Sequence, residues 1–160
     1  GGSPLANTVD QKDLNLMLHF PGSKCSQGDG GALESLRPAT RRAWLASHHP
    51  LPPKIKYYSV VTYPHPDRIS SVLGGSYRTL SKVDARNDSQ VIYYDQVVPG
   101  STLLAFVNAD HWALAVPIAR SHSFVGSTFV DKNNYPREAL LQAVIRFIEE
   151  DLDQSSLNQP

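Results

Sequence analysis

Two runs of the chain, "IKYYSVVTY" (residues 55–63) and "STLLAFVN" (residues 101–108), are dense in aliphatic, β-branched and aromatic residues and lack a regular polar alternation. A strand that is apolar on both faces belongs in the interior of a parallel sheet with helices on each side. Pro53 and Pro64 fence the first run, and Pro99-Gly100 opens the second. Near the end, "YPREALLQAVIRFIEEDL" has a helical period that puts Leu140, Leu141, Val144, Ile145, Ile148 and Leu152 on one face, with Pro136 suited to the first turn. Strand, helical segment, strand and helix make an α/β pattern with a mostly parallel sheet. A typical sheet has about four to six strands. Two are too few, so we expect the chain to need cover from an N-terminal half that it does not contain or from a second copy of itself.

The rest divides into two textures, residues 1–53 and 54–160. The first is rich in turn formers: "GGSPLANT", "PGSKCSQGDGG" and "HHPLPP". Between them, Leu14, Met17 and Leu18 predict a helix capped by Thr8 or Asp10. Leu33, Leu36, Ala43, Trp44 and Leu45 predict two short helices separated by Pro38. In the second part, "ISSVLGGSYRTLSKV" (69–83) reads as a helix broken at Gly74-Gly75, and "DARNDS" (84–89) as a turn. "QVIYYDQVV" (90–98) fits both periods, and Asp88 or Ser89 as a cap tips the reading toward a helix.

Composition excludes several classes of partner. Fifteen basic residues balance fifteen acidic ones among 160, so no net field draws in nucleic acid or an acidic membrane surface. No apolar run approaches the ~20 residues of a membrane helix, and the N-terminus lacks the basic-then-apolar order of a leader. The reading is a soluble protein without a membrane span, with a weak lean to the cytoplasm. Cys25 is the single cysteine and has no partner for a disulfide or a zinc pair. His48, His49, His65 and His122 fall on Pro-rich or polar loops without metal-ligand spacing. Neither a metal nor a cofactor is expected.

Chemistry concentrates at "NADHWALA" (108–115), which sets His111 on the loop leaving the second apolar strand. In open α/β sheets such loops carry the functional groups. A histidine there can act as a general base if a buried carboxylate orients it. Asp110 is adjacent, but neighbouring side chains usually diverge. Asp88 in "RNDSQV" lies on an upstream loop, and Asp67 in "YPHPDR" is nearer to the end of the first strand. Purely structural roles are also open, since Asp110 and His111 could cap a helix starting near Trp112, and Asp88 could act as a cap.

The order "NDSQV", short helix, "PGSTLLAFVNADHW" and closing amphipathic helix resembles the C-terminal part of an α/β-hydrolase over about residues 55–152, with "GGSPLAN" as the chain leaving an earlier strand. The resemblance implies Asp88 as the triad acid, His111 as the general base and Trp112 as a wall beside the substrate, with Asp67 the alternative acid. It implies an acid loop, a histidine loop and a terminal helix within residues 54–160. Residues 1–53 would supply a strand-exit loop and a cap or lid, shaping an acyl pocket with Phe20, Trp44 and Leu45. The family's G-x-S-x-G elbow is absent, and Ser3 is followed by Leu5 where the second glycine belongs. The implied activity is acyl transfer from small carboxylic esters or thioesters to water, completed by a serine that these residues lack. The competing reading is an autonomous α/β binding domain without chemistry.

Overall fold

The computed structural model describes residues 2–9, 28–115 and 123–157. The helix expected around Leu14, Met17 and Leu18, and with it Phe20, Cys25 and His122, lies outside them. Strand β1 (Tyr58–Thr62) and strand β2 (Thr102–Val107) form inside the two apolar runs and pair in parallel, Tyr58 against Thr102 and Thr62 against Val107, with an irregularity between Ser59 and Val60. Parallel pairing puts the loops that leave both strands at one end of the sheet.

Six α-helices are defined among the described residues: α1 (Gly31–Leu36), α2 (Pro38–Ser47), α3 (Gly74–Ser81), α4 (His111–Ala115), α5 (Ser123–Phe129) and α6 (Arg137–Leu157). Between α1 and α2 the break falls at Arg37, held in extended backbone (φ −65°, ψ 136°) because a residue before proline is pushed out of the helical region. Pro38 then starts α2 where its missing N–H costs nothing. Trp44 stacks on His48 at 4.2 Å and lies under the Arg41 guanidinium at 4.7 Å, all within α2 and its C-cap.

A buried cluster forms around the end of β2, while Val61, Leu80 and Ile92 are also fully buried. Val107, Ala109 and Ala113 make up that cluster, with Val60, Ala105, Leu114, Val130, Tyr135 and Leu140 packed around them. Helix α6 is fastened along the start of β1: the Lys56 ammonium and the Tyr58 hydroxyl both donate to Asp151 Oδ2 at 2.6 Å. That bond pushes the Tyr58 phenol up to about 12, because the nearby carboxylate opposes a second negative charge. The predicted stripe of α6 is only half covered. Leu140, Val144 and Ile148 are partly buried, whereas Leu141, Ile145 and Leu152 are exposed, as are Leu103 and Phe106 on β2.

Two local expectations are corrected. Gly74-Gly75 does not break a helix but starts α3, after a 3-10 turn at Ser71–Leu73. The first turn of a helix has unpaired N–H groups in any case, so glycine is better tolerated there than in the middle. Thr8 donates its N–H to Leu5 O at 2.9 Å at the end of a 3-10 turn, Pro4–Asn7, and the helix that it or Asp10 is expected to cap lies outside the described residues. The 90–98 segment is neither α-helix nor strand; it holds a 3-10 turn at Tyr93–Gln96. The Gln96 side chain explains this, since its Oε1 accepts the Thr62 N–H at 2.6 Å and its Nε2 donates to Thr62 O at 2.8 Å. One amide therefore satisfies both backbone groups at the end of β1, as a neighbouring strand would.

Gly2 is buried beneath α2. A Cβ at this position would lie 2.6 Å from Pro38 Cα and 2.7 Å from Leu36 O, both backbone atoms. Gly2→Ala should cost about 1–3 kcal/mol by overpacking. A thermal melt will register this as a fall of about 2–4 °C per kcal/mol, and an unchanged melt would mean that the N-terminal turn does not seat here.

Candidate active site

Asp88 sits in a turn that the sequence braces from several sides. The Arg86 guanidinium donates to both carboxylate oxygens of Asp84, at 3.0 and 2.8 Å, and lies 4.1 Å over the Tyr93 ring. Asn87 is fully buried, donating to Asp84 O at 2.9 Å and accepting the Ser89 N–H at 3.0 Å. Ser89 takes a left-handed φ of 82°, which turns the chain sharply after the acid. The Asp88 carboxylate is 3% exposed. Its Oδ1 accepts the Gln90 and Val91 N–H groups at 2.9 and 2.8 Å, and its Oδ2 accepts the Thr62 hydroxyl at 2.9 Å.

His111 opens α4. Its backbone N–H donates to Asp88 O at 3.0 Å, and its Nδ1 lies 2.8 Å from Asp88 Oδ2. An ionised carboxylate only accepts, so Nδ1 carries the proton and Nε2 presents its lone pair. The imidazole pKa is raised above its ordinary 6.5, first by the hydrogen bond to Asp88; partial burial opposes the shift, and the charges of Asp88 and Asp110 add to it. The side chain is 40% exposed, so a reacting group can reach it.

The other candidates lie elsewhere. Asp67 pairs with His65 Nδ1 at 2.5 Å, both side chains exposed, and takes no part in the Asp88–His111 contact. That pairing lowers the Asp67 pKa, with the hydrogen bond to His65 as the main cause. Asp110 turns away from its neighbour: Oδ1 accepts the Ala113 N–H at 2.8 Å, which makes it the cap of α4. Trp112 is half-buried and rests its ring against Phe129 of α5, with centroids 5.3 Å apart. The Ser3 hydroxyl donates to Gln90 O and accepts the Leu5 N–H at 3.3 Å, which ties the N-terminal turn to the acid turn.

Two residues of the arrangement were not singled out from the sequence. Thr62, at the last position of β1, offers its hydroxyl to Asp88, and Gln96 holds the backbone of Thr62. The one available signal was a threonine ending an apolar run. Among the described residues no group of three or more His, Cys, Asp or Glu side chains is disposed to hold a metal ion, and no helix is long and apolar enough to cross a membrane. A cavity of about 450 Å³ opens where both strands end, lined in part by Tyr63, Tyr77, Arg86 and Asn108. Asp88, His111 and Trp112 are not among its walls.

No protein-family model and no curated protein matches the chain. Among solved structures, the crystal structure of the metagenomic carboxyl esterase MGS0156 is similar, with 43% sequence identity, a TM-score of 0.82 and coverage of 94% of this chain. The chain spans 45% of the length of that esterase chain.

Proposed function

We propose that this α/β chain, similar to a carboxyl esterase over 45% of that esterase's length, is the C-terminal part of an α/β-hydrolase and provides the acid and the base of a serine esterase, Asp88 and His111. The observation that carries this reading is the 2.8 Å hydrogen bond between His111 Nδ1 and a buried Asp88 carboxylate, at the end of the sheet where both parallel strands finish. Such a pair does one job well. As a serine hydroxyl attacks the acyl carbon of an ester or thioester, Nε2 of His111 takes its proton and later returns it to the leaving oxygen or sulfur. Asp88 holds the tautomer and stabilises the imidazolium between those steps. Water then repeats the sequence on the acyl-enzyme.

The serine and the oxyanion-hole amides come from polypeptide outside these residues. No G-x-S-x-G occurs here, and the Ser3 hydroxyl is bound to Gln90 O. Trp112, packed on Phe129, supplies an apolar wall beside the imidazole, and α1 with α2 belongs to a cap over the acyl pocket.

The test is hydrolysis of a p-nitrophenyl ester by a polypeptide that joins this chain to its serine, followed across pH. His111 works only when neutral, so kcat/KM should fall as pH drops through its pKa, which the Asp88 hydrogen bond holds above 6.5. Asp88→Asn should move that inflection downward. The same shift acts on the fold: its stabilising contribution is full below pH 6.5 and is lost as pH rises through the raised value. A rate flat from pH 5 to pH 8, or no hydrolysis with the serine in place, would reject the esterase reading in favour of a binding domain.

A further inference from the structure

Asp110 is fully buried, and its side chain is turned away from the imidazole next to it. Besides capping α4 through Ala113, it accepts at Oδ2 both the N–H of Ser70, at 2.9 Å, and the Ser70 hydroxyl, at 2.5 Å. Ser70 is itself fully buried. The next residue repeats the pattern. Ser71 donates its N–H to Asp131 Oδ1 at 2.8 Å and its hydroxyl to Asp131 Oδ2 at 2.5 Å. Two consecutive serines thus clasp two aspartates, and only one of those aspartates precedes His111.

Helix α4 starts with N–H groups that have no partner inside the helix, so its beginning is held by contacts from outside it. Its first residue is His111. On one side the backbone of His111 is pinned to Asp88 O; on the other, Asp110 pins the helix end to Ser70. We propose that Asp110 is a positioning residue for His111, capping α4 and anchoring it to Ser70 so that the imidazole stays on Asp88. The catalytic consequence rests on the triad reading above, whereas the contact itself does not. Misplacement of a reacting group by about 1 Å can cost about 10²-fold in rate.

The experiment compares Asp110→Ala with Asp131→Ala in the ester-hydrolysing polypeptide, measuring kcat, KM and the downfield proton resonance of the His111 Nδ1–H bonded to Asp88. Asp110→Ala should abolish or broaden that resonance and lower kcat about 10²-fold, with KM little changed. Asp131→Ala removes the neighbouring, exposed clasp on Ser71 and should leave both readouts near wild type. If Asp110→Ala preserves the resonance, or Asp131→Ala erases it equally, the clasp is scaffolding alone and the proposal falls. Should Asp110→Ala fail to fold, Ser70→Ala removes only the hydroxyl half and should still weaken the resonance; an unaltered signal then overturns the proposal. If His111→Ala leaves hydrolysis intact, the triad is wrong, and the resonance alone decides for or against Asp110.

Discussion

His111→Ala should lower kcat on an ester by up to the order of 10⁶-fold while moving the melting temperature by only a few degrees. Under the proposed triad the large effect follows from losing the group that takes the proton from the serine; binding and the oxyanion hole would retain about 10³ to 10⁴-fold acceleration over water. The small effect follows from what the substitution spares. The backbone N–H of residue 111 still reaches Asp88 O, and Asp110 still caps α4 through Ala113. Asp88 keeps three of its donors, the Thr62 hydroxyl and the N–H groups of Gln90 and Val91. What is lost is one hydrogen bond from a side chain 40% open to solvent, about 1 kcal/mol, or about 2–4 °C. Parallel assays of turnover and thermal melting check both halves. Intact turnover with a lowered melt would make His111 a helix-starting residue and nothing more.

The parts of the fold that the sequence made readable are those governed by local pattern. β-Branched and aromatic density located β1 and β2 to within a few residues, and the period of Leu140, Val144 and Ile148 located α6. Parallel topology predicts that Asp88 and His111, on loops leaving neighbouring strands, share one end of the sheet. Tertiary hydrogen bonds escaped notice. Gln96 supplies the end of β1 with bonds of the kind that a neighbouring strand makes, and its own segment holds a 3-10 turn that no period predicts. Ser70 gives no local sign that it answers Asp110, because the two meet only when the chain after β1 folds back across the histidine loop. Gly74-Gly75 was misread for a related reason. A glycine pair weakens a helix interior, and only the position of the helix start shows that this pair is not interior.

Asp88→Asn should lower kcat by about 10⁴-fold with a modest loss of stability. Asparagine fits the same space, and its oxygen can keep the pair of N–H bonds from Gln90 and Val91 that close the turn. Its NH₂ then occupies the place of Oδ2, facing His111 Nδ1 and the Thr62 hydroxyl. The hydroxyl can rotate to accept. The imidazole can accept at Nδ1 only by moving its own proton to Nε2, which leaves the reacting nitrogen unable to take a proton from serine. Geometry survives while the tautomer is wrong. Asp88→Ala is a poorer test, because it strands the Gln90 and Val91 N–H groups, and an unsatisfied buried group costs about 1–3 kcal/mol. Turnover of Asp88→Asn measured beside Asp67→Asn separates the two acids. Asp67 is exposed, engaged with His65 and apart from the Asp88–His111 contact, so its replacement should leave the rate near wild type. A full rate in Asp88→Asn with a collapsed rate in Asp67→Asn would move the acid to the upstream turn and would require that turn to swing onto the imidazole before reaction.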